Sequence, residues 1–101
     1  MSSPKYRLVL SPKAEHDIEN ILRYTGETWG EKQLTVYHHK IADALDKILA
    51  RPERGHLSAD LPDTHRLYPA GSHVVVYRVK ESVIEVIRIL HKRMSLPRQL
   101  E

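Results

Sequence analysis

Hydrophobic residues recur along the first half of the chain at the spacing of amphipathic helices. A short apolar run at Tyr6–Leu10 predicts a strand. Ser11 and Pro12 follow it, and they are suited to the N-cap and the first residue of a helix. The helical spacing continues to Trp29, and Gly30 predicts the end of this first helix.

A second helix is predicted at about Glu31–Ala50, and Pro52 ends it because proline cannot continue a helix. So few residues separate the two helices that they are predicted to form an antiparallel hairpin. The apolar stripe of the second helix consists of Leu34, Tyr37, Ile41, Ala44, Leu45, Ile48 and Leu49.

The last third of the chain follows the pattern of β-strands. After a loop at 54–63, three runs predict strands at Thr64–Tyr68, His73–Val79 and Ser82–His91. The turns between them are short enough for hairpins, so the three strands should form an antiparallel meander. With the first strand and the helical hairpin, this gives an α+β fold with one sheet. We expect residues 1–101 to form a single domain.

Both faces of the last two strands are mostly apolar, although a helical hairpin can cover only one face of a sheet. Something must therefore cover the second face: the C-terminal tail, a second copy or, as we favour, a partner chain. Strict alternation in the last strand would place Glu85, Ile87, Ile89 and His91 on one face, and Ile84, Val86, Arg88 and Leu90 on the other.

Composition excludes several classes of function. The 101 residues contain no cysteine, which excludes disulfides, thiolate metal sites and cysteine nucleophiles. No apolar run is long enough to span a membrane, and the N-terminus lacks the apolar stretch of a secretory signal. We therefore expect a cytoplasmic protein without a membrane partner.

The net charge of +3 arises in the second half of the chain. Between Arg66 and Arg98 there are seven basic residues against two acidic ones. Where it is exposed, this segment suits an acidic protein tail or a nucleic acid, although a solvated basic face that serves solubility is the simpler alternative.

Seven histidines suggest a metal, but their spacing does not support a metal site. Adjacent His38 and His39 would point about 100° apart on a helix, so they could not chelate one ion together. No glycine-rich phosphate loop or serine nucleophile motif is present, and no cofactor is expected. We expect Tyr24 and Trp29 to serve packing rather than binding.

A ribonuclease would need a base, an acid and cations around the scissile phosphate, and Arg78, Arg88 and His91 are the candidate residues. Because alternation separates Arg88 from His91, we favour a structural interpretation. Arg88 would then pair with a carboxylate, and His91 would cap its strand.

Several segments, in order, resemble the ParE toxins of bacterial type II toxin–antitoxin modules, within the RelE/ParE superfamily. The resemblance extends from about Tyr6 to Met94, and the strand starting at Gly71 and the segment around Arg88 are its most specific parts. The matching segments are Leu10–Ala14 with Asp17, Ile18 and Ile21; Tyr24-Thr25 and Trp29-Gly30; Tyr37; Pro52–Gly55; Gly71–Val79; and Ile87–Met94.

This resemblance implies a toxin that is not an enzyme and that blocks DNA gyrase. It also implies a ParD-like antitoxin, a ribbon-helix-helix protein whose disordered C-terminal segment wraps the toxin, so that operator DNA is reached only through the antitoxin. The alternatives are a RelE-like endonuclease that cleaves mRNA on the ribosome and a non-toxic module that binds an antitoxin.

Two surfaces are expected from these considerations. The first would contact gyrase through the basic C-terminal segment, with Arg88, His91, Lys92, Arg93 and Arg98 as its residues. The second would bind the antitoxin through the helices and the sheet, with Leu34, Tyr37, Ile41, Arg66 and Arg78 as its residues.

Overall fold

The computed structural model describes residues 5–94, and it contains two helices packed against one face of a four-stranded sheet. The predictions for the tail after Met94 and for Arg98 concern residues outside this range. In chain order the elements are β1 (Arg7–Leu10), α1 (Pro12–Trp29), α2 (Glu31–Ala50), a 3₁₀ turn (Pro52–Arg54), β2 (His65–Ala70), β3 (His73–Lys80) and β4 (Val83–His91).

The helix boundaries confirm the predicted capping. The Ser11 hydroxyl accepts a hydrogen bond from the Ala14 N–H at 3.0 Å, and Pro12 occupies the first turn of α1. Gly30 alone separates the helices, and its φ of +92° is a conformation that suits glycine. One residue therefore turns the chain back, as the hairpin requires.

The sheet has the strand order β1-β4-β3-β2. The antiparallel meander β2–β3–β4 is confirmed, with strand ends within two residues of the predicted ones. The sequence did not predict the partner of β1, which pairs parallel with the start of β4, where Arg7 lies opposite Val83 and Leu10 opposite Val86. The sheet is therefore mixed, and its two edges are β1 and β2.

A β-bulge interrupts the pairing of β3 with β4. Tyr77 lies opposite Val86, whereas the preceding Val76 lies opposite Arg88, so Ile87 is an extra residue in β4. A bulge of this kind shifts the alternation of side chains in the strand that carries it.

The predicted alternation of β4 is therefore wrong beyond Val86. Ile89 packs in the helix-side cluster together with Ile84, whereas Ile87 packs in the cluster on the opposite face. Glu85 and His91, which strict alternation would place on the same face, are consequently separated.

The helix-side core contains residues from both helices and from the sheet. The Tyr77 side chain is buried within it, and its hydroxyl donates a 2.5 Å hydrogen bond to the carbonyl of Pro52, which ties the end of α2 to the sheet. The other buried residues of this helix-side core are Ala14, Ile41, Ala44, Ile48, Ala70, Val75, Ile84, Val86 and Ile89.

The opposite face of the sheet is covered in part by the connection between the 3₁₀ turn and β2. Leu61 from this connection is 7% exposed and packs with Val76 and Leu90. The expectation that the tail, a second copy or a partner would supply this cover thus overlooked the loop. The role of Leu61 could not be predicted from the sequence, because its neighbours along the chain are typical turn residues.

Where β1 ends, α1 takes over the edge of β4. The Ser11 hydroxyl donates to the carbonyl of Ile87 at 2.7 Å, and Asp17 accepts the N–H of Ile89 at 2.9 Å. Asp17 also accepts two hydrogen bonds from the Arg88 guanidinium, at 2.8 and 2.9 Å. One carboxylate thus satisfies both a backbone group and a cation at an edge that a further strand would otherwise cover.

We expect Asp17→Ala to lower the free energy of unfolding by about 3 kcal/mol, because it removes the carboxylate that accepts hydrogen bonds from the Arg88 guanidinium and the Ile89 N–H. The two side chains of this pair are only 12% and 18% exposed, so water replaces the carboxylate poorly. Urea denaturation followed by circular dichroism would measure the loss.

The matched control is Asp43→Ala, which breaks the exposed pair between Asp43 and Lys47 on α2. We expect it to leave the urea midpoint close to that of the parent. Equal losses from the two variants would contradict the special role of Asp17.

Candidate functional site

An open groove of about 420 Å³ lies between the C-terminal half of α1, the middle of α2 and the end of the β3–β4 ladder. Its wall combines aromatic, imidazole and small polar side chains. The described residues that line it are Asn20, Ile21, Tyr24, Thr25, Trp29, Tyr37, Ser72, His73, His91 and Met94.

The Tyr37 hydroxyl is the centre of a polar network at one end of this groove. It accepts the Ser72 N–H at 2.9 Å, and it lies 3.2 Å from the Ala70 carbonyl and 2.5 Å from Nδ1 of His73. These contacts fix the β2–β3 turn against α2. The sequence placed Tyr37 in the apolar stripe of α2, so its hydrogen-bonding role was not predicted.

Gly71 makes this contact possible. Its φ is +62°, and a Cβ at this position would lie 2.8 Å from the Tyr37 ring and hydroxyl. Both the backbone conformation and the space therefore require glycine. The short hairpin turn predicted before the strand at His73 agrees with this arrangement, but the sequence did not show which side chain the turn contacts.

Two histidines meet beside the Tyr37 network. His73 lies opposite His91 in the ladder, and their ring centroids are 5.2 Å apart in an edge-to-face arrangement. Burial, reinforced by the neighbouring His91, lowers the pKa of His73 below its ordinary value. The lowered pKa favours the neutral imidazole, whose Nδ1 can accept a hydrogen bond from Tyr37.

Tyr24 and Trp29 are exposed on the groove wall, at 65% and 68% of their surface. The expectation that they serve packing is wrong, because most of the surface of each side chain is open to solvent. In the helical pattern they are indistinguishable from core positions, so spacing alone could not reveal their exposure.

A second hollow, of about 480 Å³, adjoins the groove and is lined by Gly71, Ser72, His91, Lys92 and Arg93. Lys92 and Arg93 are exposed, and the Lys92 backbone N–H donates to the Ser72 carbonyl at 3.0 Å. The Arg93 N–H donates to Nδ1 of His91 at 3.1 Å. The basic segment predicted after β4 is thus held against the β2–β3 turn.

Arg88 does not belong to this exposed basic segment, because Asp17 holds its guanidinium. The hydrogen bonds that the guanidinium donates to Asp17 raise the pKa of Arg88 above its ordinary value. The preferred interpretation of Arg88 as the partner of a carboxylate is confirmed. Arg88 is therefore not available as a contact for gyrase, contrary to the expectation from the sequence, and substituting it would disturb the fold.

The three ribonuclease candidates are dispersed. Arg78 pairs with Glu85 at 2.7 Å. Glu85 lies six residues before His91 in β4, which separates this pair from His91 by roughly 20 Å along the strand. Arg88, between them, is engaged by Asp17. The three side chains are therefore not placed to act together on one phosphate.

The five antitoxin candidates differ in accessibility. Ile41 is 3% exposed and part of the core, so it is unavailable to a partner and this prediction is wrong. Leu34 and Tyr37 are partly exposed, and Arg66 donates to the carbonyl of Gly55 at 2.8 Å. Arg78 is exposed in its pair with Glu85.

Within residues 5–94, no three His, Cys, Asp or Glu side chains are grouped so that they could hold a metal ion. None of the helices in this part of the chain is sufficiently long and apolar to cross a membrane.

Comparison with known proteins identifies the class of this fold. A family model described as "ParE toxin of type II toxin-antitoxin system, parDE" matches residues 8–96. The fold and this match define the toxin component of a type II toxin–antitoxin module. Within that class, the chain belongs to the ParE toxin family.

Relatives in sequence and structure agree with this assignment. Toxin ParE1 of Mycobacterium tuberculosis H37Rv is 37% identical over 95 residues, covering 93% of this chain and 97% of the relative. Toxin ParE1 of Caulobacter vibrioides is 35% identical, covering 85% and 88%. A solved structure described as the chromosomal ParDE system from P. aeruginosa superposes with a TM-score of 0.75 at 18% identity, over 88% of this chain and 98% of that chain, and so shares the fold.

The His73 network makes stability depend on pH. Because the pKa of His73 is lowered in the folded protein, the unfolded chain binds more protons below about pH 6.5, and stability falls with acidification through that range. His73→Gln should lose about 1 kcal/mol at about pH 7.5 and less at about pH 5. Urea midpoints at the two pH values would measure this.

His39→Gln, on the exposed side of α2, controls for the loss of an imidazole outside the groove. Its midpoint should follow that of the parent at both pH values. A His73→Gln deficit that is the same at both pH values would refute the assignment to His73.

Proposed function

We propose that this ParE-family toxin inhibits DNA gyrase by binding and is neutralised by a ParD-like antitoxin. The observation that carries the proposal is the family match over residues 8–96, together with the similarity to proteins named Toxin ParE1 over most of the chain. The dispersal of Arg78, Arg88 and His91 supports action by binding rather than by RNA cleavage.

The gyrase surface in this proposal is the exposed basic hollow after β4. Lys92 and Arg93 project from a short segment whose backbone is fixed to Ser72 and His91. Cations held on a rigid support suit an acidic protein surface or the phosphates of enzyme-bound DNA. Arg98 remains a candidate for the same surface and lies outside the described residues.

The antitoxin surface in this proposal is the outer side of α2 and the β2 edge. β2 is an edge strand; on its outer side Leu67 pairs with His56, and the His65 N–H donates to the carbonyl of Pro62. Val36 is exposed on α2, and Leu34 is partly exposed. An extended, partly apolar segment could add to such an edge, with its apolar side chains against the helix.

With purified gyrase, plasmid and ATP, the folded toxin should block supercoiling and trap linear DNA. The double variant Lys92→Ala/Arg93→Ala should need on the order of tenfold more protein, the equivalent of losing about one charge-assisted hydrogen bond. Lys13→Ala, which removes an exposed cation from the start of α1, is the matched control and should act like the parent.

Normal supercoiling in the presence of folded protein would overturn the gyrase proposal. Transcripts cut at translating ribosomes would then favour the endonuclease alternative. Intact transcripts and normal growth on expression would favour a non-toxic module that binds an antitoxin.

Adding a ParD-like antitoxin should slow amide hydrogen exchange along α2 and β2, because a docked segment suppresses local opening there. Exchange at the buried centre of β4 should change little and serves as the internal control. Stable complex formation without added protection in α2 or β2 would refute this placement of the antitoxin.

A further inference from the structure

The aromatic side chains on the groove wall are largely exposed, so they contribute little buried surface to the fold. Tyr24 and Trp29 leave most of their ring surface open to solvent, and Met94 lines the same groove with 45% of its surface exposed. Isolated exposed apolar side chains are ordinary, but several grouped in one depression mark a binding surface.

The aromatic groove is continuous with the basic hollow. Ser72 and His91 line both, so the stacking surfaces of α1 and the cations after β4 border one shared depression. Neither lining contains an Asp or Glu among the described residues. The combined surface therefore offers aromatic rings at one end and uncompensated positive charge at the other.

We propose that this combined surface binds single-stranded nucleic acid. A base would stack on Trp29 or Tyr24, and the neighbouring phosphates would lie against Lys92 and Arg93, with the Ser72 hydroxyl as a further donor. Aromatic rings beside a basic groove are the elements with which proteins hold single strands without reading sequence. This proposal does not depend on gyrase, since it concerns the toxin alone.

The shape and chemistry of the surface favour a single strand over two other occupants. Reading duplex DNA requires an element that protrudes into a groove, whereas this surface is concave. An acidic peptide without apolar or aromatic side chains would satisfy Lys92 and Arg93, but it would leave the two exposed rings uncovered. Unstacked bases joined by phosphates match both features at once.

The test is fluorescence anisotropy of the purified toxin with labelled oligothymidine and oligouridine of about ten nucleotides, a length that small single-strand-binding folds cover. Saturable binding of either is expected. Trp29→Ala and Tyr24→Ala should each weaken it about tenfold. The double variant Lys92→Ala/Arg93→Ala should reduce the slope of log affinity against log salt by roughly 1 to 2.

Leu57→Ala is the matched control, because it removes an exposed apolar side chain outside the groove, and its affinity should equal that of the parent. Circular dichroism melting would verify that each variant is folded. Absence of saturable binding would overturn the proposal. So would binding that Trp29→Ala and Tyr24→Ala leave unchanged, or equal competition by polyglutamate, which would show attraction by charge alone.

Discussion

The Asp17 carboxylate joins the helical layer to the sheet beyond the end of β1, where β4 has no neighbouring strand on that side. β1 ends opposite Val86, but β4 continues for five more residues to His91. Over that stretch the first turns of α1 replace the missing strand, and Asp17 accepts from both the Ile89 backbone and the Arg88 side chain. The groove lies between this helix and the end of this strand, so its shape depends on that one contact.

The bulge at Ile87 determines what the groove contains. A regular ladder starting from the observed pair of Lys80 and Val83 would set His73 opposite Leu90. One extra residue in β4 sets it opposite His91 instead and turns that imidazole toward the helices. The same shift places Leu90 in the cluster with Leu61 on the opposite face of the sheet, so side chains pack on both faces of β4.

Much of the fold could be predicted because its signals are local. Helical spacing, the Ser11 cap and Gly30 are read within a few residues, and so are the turns of the meander. The bulge, the parallel pairing of β1 and the cover from Leu61 depend on contacts between distant segments. The site divides in the same way. Lys92 and Arg93 stand out in the sequence as part of a local basic segment, and they are exposed. The contact between Tyr37 and His73 joins distant segments and depends on the bulge and on the close approach at Gly71.

The pairing of β1 with β4 has a consequence for synthesis of the toxin. The residues of β1 leave the ribosome long before their partners, residues 83–86, because both helices and two strands separate them along the chain. The helical hairpin can form early, because its contacts are local, but the central strand of the sheet is still missing. A chain that stops short of β4 therefore lacks both the strand that joins β1 to β3 and the segment that carries Lys92 and Arg93. The sheet is therefore completed only after β4 has emerged, when this strand pairs with both β1 and β3.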